Sequence, residues 1–230
     1  MWLFIAKKNH IITMHMSDIT CAKQLSFHRS INVSERQEVE RLEDVEISHF
    51  IRYKFATSFI HDNDYVLDAM CGVGYGSYLM ARDSEALRID AFDVSRDAIV
   101  KANKHFSHPK INFANLDFEK IRVIEEFYHL ITCFEAIEHI NNPMSLLLKL
   151  HDGLKENGTL LLSTPNESTM PHNNLDFPEH ITHYTYEQME MMTSECGLHI
   201  DEVMSQPCKG SPMINSGLNG KFLVLVCKKQ

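Results

Sequence analysis

No segment of this 230-residue chain is apolar for long enough to span a membrane. The five apolar residues that open MWLFIAKKNHIITMHM are too few, and stand in the wrong order relative to the lysines, for a secretory leader. Cysteines are few and scattered: Cys21, Cys71, Cys133, Cys196, Cys208 and Cys227 form no C-x-x-C pair. That excludes a zinc-finger type cluster, and reduced thiols in a cytoplasmic protein are expected instead of disulfides. Basic residues are also short, 22 against 31 acidic for a net charge of −9, which argues against the extended phosphate contact that a long nucleic acid demands. There are no repeats and no low-complexity tracts. What remains is the composition of an ordinary globular domain, long enough for one substantial core.

The densest signal in that domain is Tyr65 to Tyr78, YVLDAMCGVGYGSY. A short apolar run ends in the acid Asp68, glycines follow at Gly72, Gly74 and Gly76, and an apolar pattern then resumes. This predicts a strand, a tight loop and the start of a helix, where bare backbone can approach a flat polar ligand. The spacing also suits dinucleotide enzymes, or a glycine-rich turn that holds nothing, although a dehydrogenase loop would normally run G-x-G-x-x-G.

Elsewhere strand and helix patterns alternate. Residues 1–30 lack sustained periodicity and are read as an arm, either flexible or covering the active site, with Met14 and Met16 as alternative starts; residues 31–230 form the domain. A helical pattern covers Ser34 to Phe59, charged in its first half and with Ile47, Phe50, Ile51, Phe55 and Phe59 on one stripe in its second. Strand patterns recur near Tyr65, Arg88, Ile111, His129 and Gly158, each followed by a helical segment, which predicts an α/β fold with a parallel sheet. Two last strands, near Leu198 to Met204 and Lys221 to Cys227, flank a connection rich in Gly, Pro, Ser and Asn; residues 205–220 are expected to form a mobile tip.

Two further acids follow the glycine loop. RIDAFD places Asp93 about 17 residues after Gly76, close to the interval of a ribose-binding carboxylate. Asp117 ends INFANLD after a third strand, where a carboxylate can accept an adenine amine. Glycine loop, ribose acid and adenine acid in this order resemble the class I S-adenosylmethionine-dependent methyltransferases. The resemblance runs from about Ile51 to Cys227, through HLITCFEAIEHI, LLLKLHDGLKENGTLLLSTPN and HYTYEQMEMMTSECGL; Met70 departs from it, since the family often has glycine there. It implies a Rossmann-like, seven-stranded, mostly parallel sheet with one antiparallel late strand and helices on both faces. It also implies cofactor contacts from Asp68, Cys71, Gly72, Gly74, Gly76, Asp93, Val94, Asp117, Phe118 and Phe134. Tyr53 and Tyr75 are candidates to line or cap that site, although aromatics near a sheet are more often core.

The segment Glu135-Ala-Ile-Glu138-His139 directly follows a strand and so begins at the crevice where such sheets bind ligands. On a helix these three side chains would share one face and converge, a geometry suited to a metal, with a further ligand from the loop Pro178 to His183. E-x-x-E-H followed by a later histidine resembles two metal-dependent branches, the small-RNA 3′-terminal 2′-O-methyltransferases and the ubiquinone-pathway O-methyltransferases. The resemblance implies a divalent cation (Mg²⁺, Mn²⁺ or Zn²⁺) that holds vicinal acceptor oxygens, with Glu135, Glu138, His139 and His180 as ligands. His139 and Glu135 are the candidate catalytic residues. Two other readings use the same side chains: a metal-free enzyme with His139 as general base, and a non-catalytic cofactor-binding protein in which they are ordinary polar residues.

HFIRYKFA and CGVGYGS are similar to segments of bacterial methyltransferases that act on surface-polysaccharide sugars or small metabolites. O-methylation of a small molecule or glycan is therefore expected, with the 205–220 tip shaping acceptor choice. No strongly amphipathic basic helix suggests a membrane-facing acceptor.

Overall fold

The computed structural model describes residues 3–7, 10–14 and 37–229. Strands β1 (Leu3–Lys7) and β2 (His10–Met14) pair antiparallel as a small separate sheet. The rest of the expected arm, and any cover it makes over the site, lies outside the described residues.

Among the described residues, the pattern read as one helix from Ser34 to Phe59 is helical only in its second half. Among residues 37–46 there is a single 3₁₀ turn, Leu42–Asp44, and α1 (Ile47–Thr57) starts where Glu46 stays extended and its carboxylate accepts the Ser48 amide. The charged first half offers no apolar stripe to hold against a sheet, and tertiary packing is what sustains most helices. The second half does: Ile51 and Phe55 are fully buried, and Ile47, Phe50 and Phe59 pack against the same cluster.

The main sheet contains β3 (Tyr65–Ala69), β4 (Arg88–Asp93), β5 (Ile111–Asn115), β6 (Tyr128–Phe134), β7 (Leu154–Pro165), β8 (Leu198–Gln206), β9 (Asn215–Ser216) and β10 (Phe222–Lys229) in the order β5-β4-β3-β6-β7-β10-β8-β9. Strands β3 to β7 are parallel, and β10 runs antiparallel between β7 and β8. These are the seven expected strands with one reversed; β9, two residues paired with Met204 and Ser205, adds an eighth.

Alternate side chains of the central strands enter two different cores, which is why their sequences read as nearly continuous apolar runs. Val66, Leu130, Leu161 and Val224 join the cluster of α1 and α2 (Tyr75–Asp83), to which α3 (Arg96–His105) adds Ala98. Leu67, Ile131, Leu162 and Leu225 join that of α4 (Pro143–Gly153) and α5 (Tyr186–Glu195). Ser95, Asn142 and Thr185 cap α3, α4 and α5 with side-chain oxygens, whereas α2 starts at Gly74 with no side-chain cap among the described residues. Strand β3 stands where the order turns, with β4 on one side and β6 on the other, so the loops leaving β3 and β6 diverge and open a crevice.

The segment expected to form a mobile tip has contacts at its base and at one point within it. Ile214 is buried, and the Gln206 side chain accepts from Arg52 at 2.9 Å and donates to the Ser48 carbonyl at 3.0 Å. Among the described residues Cys71, Cys133, Cys196, Cys208 and Cys227 form no disulfide; Cys21 lies outside the described residues. No helix among the described residues is long and apolar enough to cross a membrane.

Candidate active site

A cavity of about 920 Å³ occupies the crevice at the carboxyl ends of β3 to β7. Its floor is the loop after β3, where Met70 and Gly72 both take left-handed backbone, at φ +60° and +56°. For Met70 that conformation is strained, a condition that persists where surrounding contacts dictate the turn. A Cβ on Gly72 would meet no described atom within 4 Å; this face of the loop is open to a ligand. The other two glycines serve the interior. A Cβ would lie 2.6 Å from the Phe113 ring at Gly74 and 2.1 Å from the Tyr53 ring at Gly76, so Cys71 and Gly72 line the cavity while Gly74 and Gly76 stand behind it.

The three acids divide in the same way. Asp68 is fully buried behind the loop, accepting from Tyr53 (3.1 Å), Ser77 (2.5 Å) and Thr132 (2.8 Å), and so ties β3 to α1, α2 and β6. It braces the loop from within and does not reach the cavity wall where a cofactor contact was expected. Burial raises its carboxyl to about 6, against the pull of those three hydrogen bonds. Asp93 does line the cavity, with Val94; it accepts the amides of Gly72 and Ser95, each at 2.8 Å, and thereby locks the glycine turn to the end of β4. Asp117 and Phe118 form the far wall, where a Lys120 ion pair at 2.5 Å holds the Asp117 carboxyl below its usual range.

Phe134 lines the cavity edge-on to Tyr53, and Tyr53 and Tyr75 complete that wall. His49, which sequence reading missed, also faces the cavity and meets the Tyr75 hydroxyl at 3.0 Å. The signal for it was its position four residues before Tyr53, on one helical face of HFIRY.

Glu135, Glu138 and His139 do not share a helix face as expected. Glu135 is left-handed at φ +48°, and only Ile137–His139 form a 3₁₀ turn. The left-handed residue turns Glu135 toward β7 and α1, where its Oε1 accepts from Ser163 at 2.7 Å and faces the buried Arg52 guanidinium at 3.4 Å. Glu138 and His139 instead meet His180, the three offering ligand atoms all within 4.8 Å of one another. Three of the four expected metal ligands are thus brought together, and Glu135 lies outside that set.

Glu138 is 1% exposed; Thr164 donates to its Oε2 at 3.1 Å, while Oε1 has no partner among the described residues. Burial, and then the Glu135 charge, push its carboxyl well above the usual range. An unmet buried acceptor costs about 1–3 kcal/mol, so this oxygen calls for a proton or a cation. The His139 Nδ1 donates to the Glu179 carbonyl at 2.9 Å, which leaves Nε2 with its lone pair. Burial and the neighbouring imidazoles push His180 down to about 3, so its ring is neutral near pH 7. One carboxylate oxygen and two imidazole nitrogens suit a divalent cation.

A Rossmann-like sheet with one reversed strand, a glycine turn at its switch point and an acid closing the next strand define an enzyme of the S-adenosylmethionine-binding class. A family model described as a methyltransferase domain matches residues 39–203, and the chain belongs to this family of S-adenosylmethionine-dependent methyltransferases. Among solved structures it is similar to the methyltransferase partner of the Haloferax volcanii Trm112 activator, at TM-score 0.67 and 17% identity over 79% of this chain and 90% of that one. It is likewise similar to an S-adenosylmethionine dependent methyltransferase from Mesorhizobium loti, at TM-score 0.64 and 13% identity over 77% and 98%. At those identities the likeness is one of fold.

In sequence it is 32% identical over 113 residues to the ubiquinone biosynthesis O-methyltransferase of Glaesserella parasuis, covering 45% of this chain and 46% of the relative. It is 28% identical over 123 residues to the malonyl-[acyl-carrier protein] O-methyltransferase of Priestia megaterium, covering 54% and 44%. The chain therefore matches less than half the length of either curated relative.

Proposed function

We propose that this methyltransferase acts in the cytoplasm on a hydroxyl oxygen of a small molecule or glycan bearing vicinal oxygens, aided by a divalent cation held by Glu138, His139 and His180. The observation that carries this reading is that Glu138, buried and with its Oε1 unpartnered among the described residues, brings a carboxylate oxygen together with two imidazoles in the wall of the cavity. That the relatives named above are O-methyltransferases supports the choice of oxygen.

S-adenosylmethionine, when bound, supplies an electrophilic methyl group, which leaves this chain to align the acceptor and to assist loss of its proton. A divalent cation at the three ligands would supply Lewis acidity toward an acceptor hydroxyl, lowering its pKa. The residues around it do the rest. The Gly72 turn, locked by Asp93, and the wall of Asp117 and Phe118 place the cofactor along β3 to β5. Glu135 lines the cavity with its Oε1 already engaged by Ser163 and Arg52, so its carboxylate is fixed to take up the hydroxyl proton. Met170, Phe177 and Phe222 give the acceptor side apolar walls that exclude water.

Turnover of catechol and sugar acceptors, measured before and after exhaustive chelation, tests this reading. Activity should vanish on chelation and return with metal. Full turnover without metal, together with inactivity of His139→Ala, would assign His139 as a metal-free general base.

A further inference from the structure

We infer that His183 is a positioning residue for this site: it fixes the hydrogen of His180 on Nδ1 and thereby presents His180 Nε2, as a lone pair, to the position shared with Glu138 and His139. The inference rests on the cation reading above, but its geometry is independent of any bound ion.

The hydrogens can be placed from the partners. His183 Nδ1 stands 2.7 Å from the Met170 carbonyl and 4.0 Å from a Glu167 carboxylate oxygen, both of which only accept, so this nitrogen carries a hydrogen. The His183 side chain is fully buried, its ring meets only a carbonyl and another imidazole within hydrogen-bonding distance among the described residues, and a buried charge without a hydrogen-bonded counter-charge is costly. The ring is therefore neutral and its Nε2 is bare. That bare nitrogen lies 2.6 Å from His180 Nδ1 and can only accept, so His180 Nδ1 is the donor. An uncharged imidazole carries a single hydrogen, so with it on Nδ1 the His180 Nε2 is left as a lone pair. Two imidazoles in series thus end on a backbone carbonyl, where His139 achieves the same orientation in one step through the Glu179 carbonyl.

The surroundings keep the relay in place. Phe177 stacks on His180 with ring centroids 5.3 Å apart and meets His183 edge-on at 4.6 Å. His172 Nε2 donates to the His180 carbonyl at 3.1 Å, which holds the backbone of the same residue. Without His183 the His180 ring could place its hydrogen on either nitrogen, and an N–H aimed at the Glu138–His139 position cannot ligate. Partners behind a histidine ligand set its tautomer and basicity in metal sites generally, and their loss lowers affinity by about 10–100-fold.

The test compares wild type with His183→Leu, which removes the acceptor, and His183→Gln, whose side-chain oxygen can replace it. In ¹⁵N-histidine spectra of the metal-free protein, His180 should carry its hydrogen on Nδ1 in wild type and His183→Gln, and on both nitrogens in exchange in His183→Leu. Calorimetric titration with Mn²⁺ should show affinity reduced by about 10–100-fold in His183→Leu and largely recovered in His183→Gln. S-adenosylhomocysteine affinity should be the same in all three. An unchanged tautomer or unchanged Mn²⁺ affinity in His183→Leu overturns the inference. Failure of wild type to take up Mn²⁺ sinks the cation reading instead, and the spectra still decide the relay. Should His183→Leu not fold, a hydrogen found on Nε2 of wild-type His180 overturns it alone.

Discussion

A Cβ on Gly76 would stand 2.1 Å from the ring of Tyr53, so the third glycine of the loop is required by the seating of α1 on α2 and not by a ligand. Gly72, by contrast, faces open space. Gly76→Ala should therefore destabilise the fold by about 1–3 kcal/mol through overpacking, with much of the loss recovered in a Gly76→Ala/Tyr53→Leu double variant. Gly72→Ala should cost about 1–2 kcal/mol for its left-handed backbone and in addition weaken cofactor binding. Denaturant midpoints and calorimetry with S-adenosylhomocysteine separate the two; equal cofactor loss in both, with stability intact, would refute the division.

Asp93 serves the cofactor site twice, as cavity wall and as the acceptor that fixes the Gly72 amide. Asp93→Ala should lower S-adenosylhomocysteine affinity by about 1–3 kcal/mol, the scale for polar groups left without partners. Asp117→Ala should cost less, because that carboxylate is already engaged in a surface ion pair with Lys120. Calorimetry reads both, and unchanged binding in Asp93→Ala would remove the assignment.

The alternating elements could be read from the sequence because each central strand is apolar on both faces and each helix carries a stripe or a cap, all of them local patterns. The open face of Gly72 and the placement of Asp93 were legible for the same reason. What escaped depends on residues distant in the chain. Glu135 takes its left-handed turn in contact with Ser163, 28 residues on, and no spacing rule within EAIEH reports that. Asp68 has the look of a ligand at a strand end, yet its three donors come from three other elements. The charged run before α1 fits several conformations equally well. The buried Ile214 was hidden in a segment whose composition otherwise signals a loose connection.

Asp68 also sets a pH dependence. Its folded pKa, about 6, lies above the ordinary carboxyl value of 3.8, so its protonated form stabilises the fold. That contribution is complete below the unfolded value and is lost as pH rises through about 6. A displacement of that size corresponds to about 3 kcal/mol. Asp68→Asn, which can still exchange hydrogen bonds with three rotatable hydroxyls, should remove this component. The difference in denaturant stability between variant and wild type should then shift in the variant's favour from pH 4 to pH 7. A difference that stays flat over this range would show that Asp68 is ionised in the fold at acid pH.

The division between Glu135 and Glu138 gives the sharpest expectation about chemistry. Glu138 has one oxygen unpartnered among the described residues and brings its carboxylate together with His139 and His180, whereas Glu135 is held by Ser163 and Arg52. Glu138→Gln should therefore abolish Mn²⁺ uptake with little loss of fold stability, since an amide replaces a carboxyl that burial already drives toward its neutral form. Glu135→Gln should leave Mn²⁺ affinity within a few-fold of wild type and still lower turnover by about 10²–10⁴-fold, the usual contribution of a positioned base. S-adenosylhomocysteine affinity should survive in both. Mn²⁺ titrations of the two variants side by side decide the matter: equal loss of metal would make Glu135 a fourth ligand that swings across when the cation arrives, and the base would then have to be sought elsewhere in the cavity.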